Sequence, residues 1–418
     1  MKRSLLFFAI FIFSCCGIIA QVLRTESLAD DIRTIQVNAN GNWKDLPVID
    51  LNSNDFIRVN FDRLGSESSV NLRYRLVNCN ADWTRSTLSD VEFMDGFNDI
   101  LIEDYAYSMN TLIDYTNFVV DIPNDRIKIK LSGNYALEIF DEEDASKTLL
   151  RVCFSVLDSQ VGINGSVSSL TDIDAHKKHQ QVSFTINYNN LPVRDVFTDL
   201  KVFVRQNNRL DNQKSSLKPM SIRGTSLVFE HNRDLIFEAG NEYRRFESVS
   251  YRYNGLNIAR TYSTNTHYIT NVVPDKIRAD NVYIYDQDQN GRFIIRNSEV
   301  DSTENDLRAD YFTTNFTLVA PDPFIEPVYI NGGFTNNTFD ERCLMKYDPM
   351  EGVYKASVLL KQGAYNYQYL AKSGNNYTPS LIEGNYYETE NEYVVYVYYR
   401  PLGQRYDLLV GMLLISNK

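Results

Sequence analysis

The sequence is poor in the side chains that most catalysis and metal binding require. Four histidines are spread over 418 residues, and no HExxH pair, GxSxG elbow or phosphate-cradling glycine loop occurs. Cysteine is equally sparse at five, with no CxxC spacing, which argues against a zinc ribbon and against a dense disulfide framework. There are two tryptophans, Trp43 and Trp83. Beyond the N-terminus the longest apolar run, 408–415, falls far short of the roughly 18 residues of a membrane helix and reads as a buried strand. Helical periodicity of ordinary length is missing throughout. The formal net charge of −12 disfavours nucleic acid and anionic lipid as partners. These absences lead to the expectation of a non-enzymatic protein without catalytic residues, metal, cofactor, small-molecule substrate or direct membrane insertion.

What is present begins with a leader. Met1-Lys2-Arg3 precedes an apolar run over 5–13, the proportions of a secretory signal peptide. Ala20 before Gln21 supplies the small residue a signal peptidase needs, so 1–20 is expected to be removed. The segment ahead of Cys15 loosely resembles a lipoprotein box, but the apolar run continues through Ile18 and Ile19, where a lipidated cysteine would end it. Of the cysteines, Cys79, Cys153 and Cys343 then remain. They are odd in number and far apart in sequence, and are expected as buried free thiols.

Aromatics are plentiful, with 28 Tyr and 23 Phe, mostly in short alternating runs beside Val and Ile. Runs such as DFIRVNFDRL, VNLRYRLVN and LLRVCFSVL are bounded by Gly, Asn, Asp or Pro, the rhythm of a β-sandwich. In 127–131 the period is two, with Lys128 and Lys130 facing out, and Gly133-Asn134 is read as the turn into the strand that follows. The expected fold is all-β, with three tandem immunoglobulin-like or early-set β-sandwich domains at 21–158, 159–305 and 306–418. The acidic stretch NSEVDSTEND (297–306) is read as the linker or long loop closing the second. In the third, Tyr365, Tyr367 and Tyr369 fall on one face.

Two constellations imitate metal sites. Asp286, Asp288 and Asn290-Gly291 open like a calcium loop, but position twelve is Asn297 instead of a bidentate Glu. The flanking VYIY and RFII make a hairpin with Asn290-Gly291 at its tip the preferred reading. His176-x-x-His179 would need a third ligand, for which Asp172 and Asp174 are the sole local candidates, and it lacks the apolar frame of a rigid helix, so it is read as a solvated strand edge. A third constellation points to a partner. Trp83, Phe93 and Phe97 lie in 78–116, among Asp82, Asp90, Asp95 and Asp99. They are either aromatic anchors with an acidic rim or a small satellite core that pins the loop.

Three blocks carry a resemblance to a known family: NCNADW with MDGFND, LKPMSIRGTSLVFEHNRDLIFEAGNEYRRF (217–246), and LIEGNYYETENEYVVYVYYRPLGQRYD (381–407). Together they resemble the plug proteins of the type IX secretion system. The resemblance implies a periplasmic protein, associated with the outer membrane through its partner. That partner is a SprA-type translocon barrel, whose periplasmic mouth the plug seals when no cargo is in transit. It supplies no catalytic residues. The segment from 311 onward also resembles early-set immunoglobulin-like modules that flank glycan-active enzymes. The alternative function is therefore a carbohydrate-binding or glycan-utilisation surface protein.

Overall fold

A computed structural model describes residues 21–65 and 71–417; the expected leader at 1–20, with Cys15 and Cys16, lies outside the described residues. Strands are the dominant regular structure among the described residues, and the α-helices there are single turns such as Asp90–Phe93 and Asn305–Arg308. Alternation decides the strands locally. In Ile57–Leu64 the side chains of Ile57, Val59 and Phe61 are buried, while Arg58 and Asn60 turn outward.

The first core lies between two sheets. One is six-stranded, with Gly133–Asp141 between Asp144–Leu157 and Leu72–Cys79; the other is four-stranded and includes Ile32–Ala39, Ile57–Leu64 and Tyr115–Ile122. Phe61, Phe118, Tyr135 and Phe154 fill the space between them. The turn expected at Gly133-Asn134 does not form. Ile127–Ile129 pairs instead with Met94–Gly96, and Gly133 is already the first residue of its strand. Its glycine is needed because a Cβ there would sit 2.8 Å from the Asp407 carbonyl oxygen, at φ +136°.

The other two cores do not follow chain order. The second is formed by Val182, Phe184 and Ile186 together with Tyr393, Val395, Val397, Val410 and Ile415. Its smaller sheet pairs Leu200–Gln206 with Glu392–Tyr399, which pairs with Leu408–Ser416. The third core, around Phe246, Phe316, Tyr365, Tyr367 and Tyr369, draws on residues from 246 to 382. The break expected at 305/306 therefore falls inside the third core, and the C-terminal hairpin belongs to the second. Composition and turn spacing locate strands but do not say which sheet a strand joins, since pairing is a long-range choice.

Nor are the units separate beads. The stretch 297–306 is no free linker, because Asn297 and Ser298 bond to Arg308 and Val249 of the third unit and Asp306 docks on the first sandwich. The Asp306 carbonyl accepts from Lys361 Nζ at 2.6 Å and from Tyr115 Oη at 3.1 Å, and its carboxylate accepts from Asn60 Nδ2 at 3.1 Å. Beside it the carboxylate of Asp62, from the first unit, takes hydrogen bonds from Lys361 Nζ at 2.7 Å and Tyr311 Oη at 2.6 Å, both from the third. The first and second units share an apolar seam of Ala81, Phe203, Tyr396, Tyr398 and Leu409. In that seam the buried Asp407 carboxylate binds the Ala81 N–H, Lys201 and Arg400.

Inside the third unit, Glu383 is a third buried carboxylate hub. Burial alone would raise its carboxyl, but Arg244 and Arg278 outweigh that and hold it at about 2. A carboxylate held below its unfolded value stabilises the fold above pH ~4.5 and loses that contribution as pH falls toward 2. The stability difference between wild type and Glu383→Gln, read from denaturant unfolding, is therefore expected to shrink steadily from pH 5 to pH 2. A pH-independent difference would contradict the ion-pair origin.

Candidate functional site

The 78–116 stretch begins where the strand Leu72–Cys79 ends. Asn80 to Arg85 fold into a tight turn, with the Trp83 N–H donating to the Asn80 carbonyl at 2.9 Å and the Asn80 N–H to the Thr84 carbonyl at 2.8 Å. Asp82 caps the turn by accepting from the Thr84 N–H at 3.1 Å and from its hydroxyl. Trp83 itself sits at φ +64°, a left-handed conformation that a bulky L-residue rarely adopts. Downstream, Ser89 and Glu92 make the capping box of the short helix Asp90–Phe93. Arg405, from the C-terminal hairpin, pairs with Glu92 at 2.6 Å.

The three aromatic candidates part company here. Trp83 is 4% exposed and covers the outer face of the six-stranded sheet with Leu23, Cys79, Ala136 and Cys153, while Leu210 of the second unit packs against this group. Phe93 is 2% exposed and belongs to the first core, its ring 6.0 Å from that of Tyr135. Neither is a surface anchor in this conformation, because each is committed to internal packing. Phe97 alone is open, at 82% exposure. It follows Gly96, whose φ of +116° and close approach to the Arg126 carbonyl leave no room for a Cβ. The flanking Asn98 side chain bonds the Leu76 backbone on both its N–H and C=O, at 2.6 and 2.8 Å. Phe97 is thus a projecting side chain on a fixed loop, with Val91 exposed nearby in the chain and Asp95 paired to Lys130.

The metal look-alikes are occupied by protein partners. The Asp286 carboxylate pairs with Arg245, and that of Asp288 accepts from the Tyr243 and Asn290 N–H groups. Asn290 and Gly291 do take the two positive φ values of a tight turn. VYIY, however, forms no strand, so this is a turn without the expected hairpin. His179 Nδ1 bonds Asp174 at 2.7 Å and His176 Nδ1 bonds Ser169 at 2.8 Å, so the two rings have separate partners. Cys79, Cys153 and Cys343 are free and buried, and burial pushes the Cys79 and Cys343 thiols up to about 12.

One feature of this region has no signal in the sequence. Where the three units meet, a cleft of about 640 Å³ is lined by residues from all of them, Trp43, Trp83, Arg205, Tyr377 and Tyr396 among them. Its wall residues lie far apart in the chain, and only the packing of the units brings them together.

Comparison with known proteins extends these observations. Residues 32–158 match the family model described as type 9 secretion system plug protein 1st domain. A crystal structure of a hypothetical protein from Parabacteroides merdae ATCC 43184 is 44% identical to this chain, with a TM-score of 0.92, over 94% of this chain and 99% of that one. A search of the curated proteins finds no match. With the first sandwich matched as a plug domain, the chain belongs to the type IX secretion system plug protein family.

Proposed function

We propose that this protein is a non-enzymatic subunit that covers the periplasmic mouth of a SprA-type outer-membrane translocon barrel and closes the pore when no cargo is in transit. The observation that carries the proposal is the plug-domain match over 32–158. The architecture is suited to the task. A cover for a wide aqueous pore must resist deformation, and here buried polar hubs and apolar seams tie the three units together. Release when cargo arrives calls for an interface of ordinary size with a few anchors. Phe97 is proposed as one of them. The glycan-binding alternative, which rests on the early-set resemblance of the segment from 311 onward, is not favoured, and Tyr365, Tyr367 and Tyr369 of that segment are all buried in the third core and offer no exposed ring to a sugar.

Affinity capture of the tagged protein from envelopes of cells without exported cargo is expected to recover the barrel, and deleting the gene to make the outer membrane leaky to large solutes. Failure to recover the barrel from intact cells removes the plug reading. Phe97→Ala is expected to weaken capture by about 2 kcal/mol, roughly 30-fold, as for a truncated interface aromatic, with an unchanged melting temperature. Trp83→Ala is expected to do the opposite, lowering stability by about 3–5 kcal/mol through the cavity it leaves. Undiminished capture by Phe97→Ala would take Phe97 out of the contact.

A further inference from the structure

The cleft at the junction of the three units holds an electrostatic anomaly. Among the described residues the buried arginines are Arg151, Arg205 and Arg209. Arg151 binds Glu26 and Glu138, and Arg209 binds Asp211. Arg205, at 7% exposure, has no carboxylate partner among the described residues. Its Nε donates to Gln213 Oε1 at 2.7 Å, and the guanidinium carbon lies 5.7 Å from the Trp83 ring centre and 5.1 Å from that of Tyr396. Both Nη atoms lack a hydrogen-bond acceptor among the described residues. An arginine stays protonated whatever its surroundings, so a buried one without a counter-charge requires compensation.

Two further observations converge on the same place. Trp83, against whose ring Arg205 lies, has a buried indole N–H without an acceptor, and its backbone is held in the left-handed region. Unpartnered buried donors and strained backbone both concentrate at ligand sites. The cleft volume, about 640 Å³, lies within the range of small-ligand sites, about 300–1,000 Å³. Its walls add Trp43 and the stacked rings of Phe339 and Tyr377.

We propose that this cleft binds a ligand through a carboxylate group, received by the two Nη atoms of Arg205. A planar fork of N–H groups matches a carboxylate in two-point geometry. The other charges on the walls favour a monoanion over a dianion. Arg24 and Arg292 line the cleft but are paired with Glu26 and Glu392, and Asp211 and Asp340 are paired with Arg209 and Arg342, while Asp45 and Asp82 also stand in the lining, so the surround is net acidic and opposes a second negative charge such as that of phosphate. The carboxylate belongs either to a small carboxylic acid or to the C-terminus of a peptide. The site is independent of the plug reading and holds or fails without it.

The only two tryptophans of the chain, Trp43 and Trp83, both line the cleft, so their emission reports on occupancy of the intact protein. Benzoate, N-acetyl-tetra-alanine as free acid, the same peptide as its C-terminal amide, and inorganic phosphate are titrated in turn. The free acid is expected to saturate the signal, with the amide and phosphate each at least about tenfold weaker, ~1.4 kcal/mol. Benzoate matching the peptide acid identifies a small acid as the ligand class, and benzoate failing where the peptide acid binds identifies a chain terminus. Arg205→Gln is expected to lose at least about tenfold for the acid and nothing for the amide, and Arg205→Lys to fall between. If Arg205→Gln does not fold, the acid-against-amide comparison on the wild type decides alone. Equal binding of acid and amide, phosphate as tight as the acid, or no response to any probe at millimolar concentration overturns the proposal.

Discussion

Replacing Lys361 by Met is expected to destabilise the protein by about 3–5 kcal/mol, the cost of stranding one charge of a buried pair. Lys361 and Asp62 are almost fully sequestered, at 1% and 0% side-chain exposure, with Nζ 2.7 Å from the carboxylate. The ammonium also stands 4.1 Å above the Tyr115 ring centre and donates to the Asp306 carbonyl. Without it, Asp62 keeps Tyr311 and Asn117 as donors but no counter-charge. Because Asp62 belongs to the first unit and Lys361 to the third, the loss acts on the contact between them. In denaturant the wild type is expected to lose both units in one transition, whereas Lys361→Met separates them into two. The double variant Asp62→Leu/Lys361→Met should recover most of the loss, since an apolar pair of similar size avoids the desolvation cost altogether. A single-variant effect below about 1 kcal/mol, the level of an exposed ion pair, would remove this latch from the description.

The second large effect is expected from the C-terminus. Ending the chain at residue 390 removes Tyr393, Val395, Val397, Tyr399, Val410 and Ile415 from the second core. At about 1.5–3 kcal/mol per buried side chain, this loss is on the order of 10 kcal/mol, comparable with the whole stability of a domain. We propose that the second sandwich is discontinuous and that the third is inserted into it. The two ends of the insertion meet. Asn391 Nδ2 donates to the Ala239 carbonyl at 2.8 Å, and the Thr389 hydroxyl donates to the Gly240 carbonyl at 2.9 Å. A chain in which 241–388 is replaced by a short Gly/Ser bridge should therefore keep the second sandwich folded, while a fragment covering 159–305 should not fold. Circular dichroism and limited proteolysis distinguish these outcomes. A cooperatively folded 159–305 fragment would restore the tandem order and discard the insertion.

Features that depend on near neighbours are legible along the chain. Period-two alternation marks Ile57–Leu64 and Tyr311–Val319 as strands because each strand selects its buried face residue by residue. Asn290-Gly291 announces its turn because the φ values required there are ones those residues tolerate. The plug resemblance was legible for a related reason, since a run such as NCNADW is read whole. Features that depend on distant partners are fixed by the packing of the whole molecule. VYIY has strand composition, yet Val282 and Ile284 are 86% and 78% exposed and unpaired, since no sheet edge is offered to them. Glu392–Tyr399 has the pattern of any central strand, and its place in the second core follows from pairing with Leu200–Gln206, almost two hundred residues earlier. Trp83 and Phe97 look alike along the chain. One is buried because a sheet face and Leu210 of another unit close over it, and the other is exposed because its loop is pinned with the ring outside. The Arg205 cleft exists only because three units meet, so no local pattern of residues could have announced it.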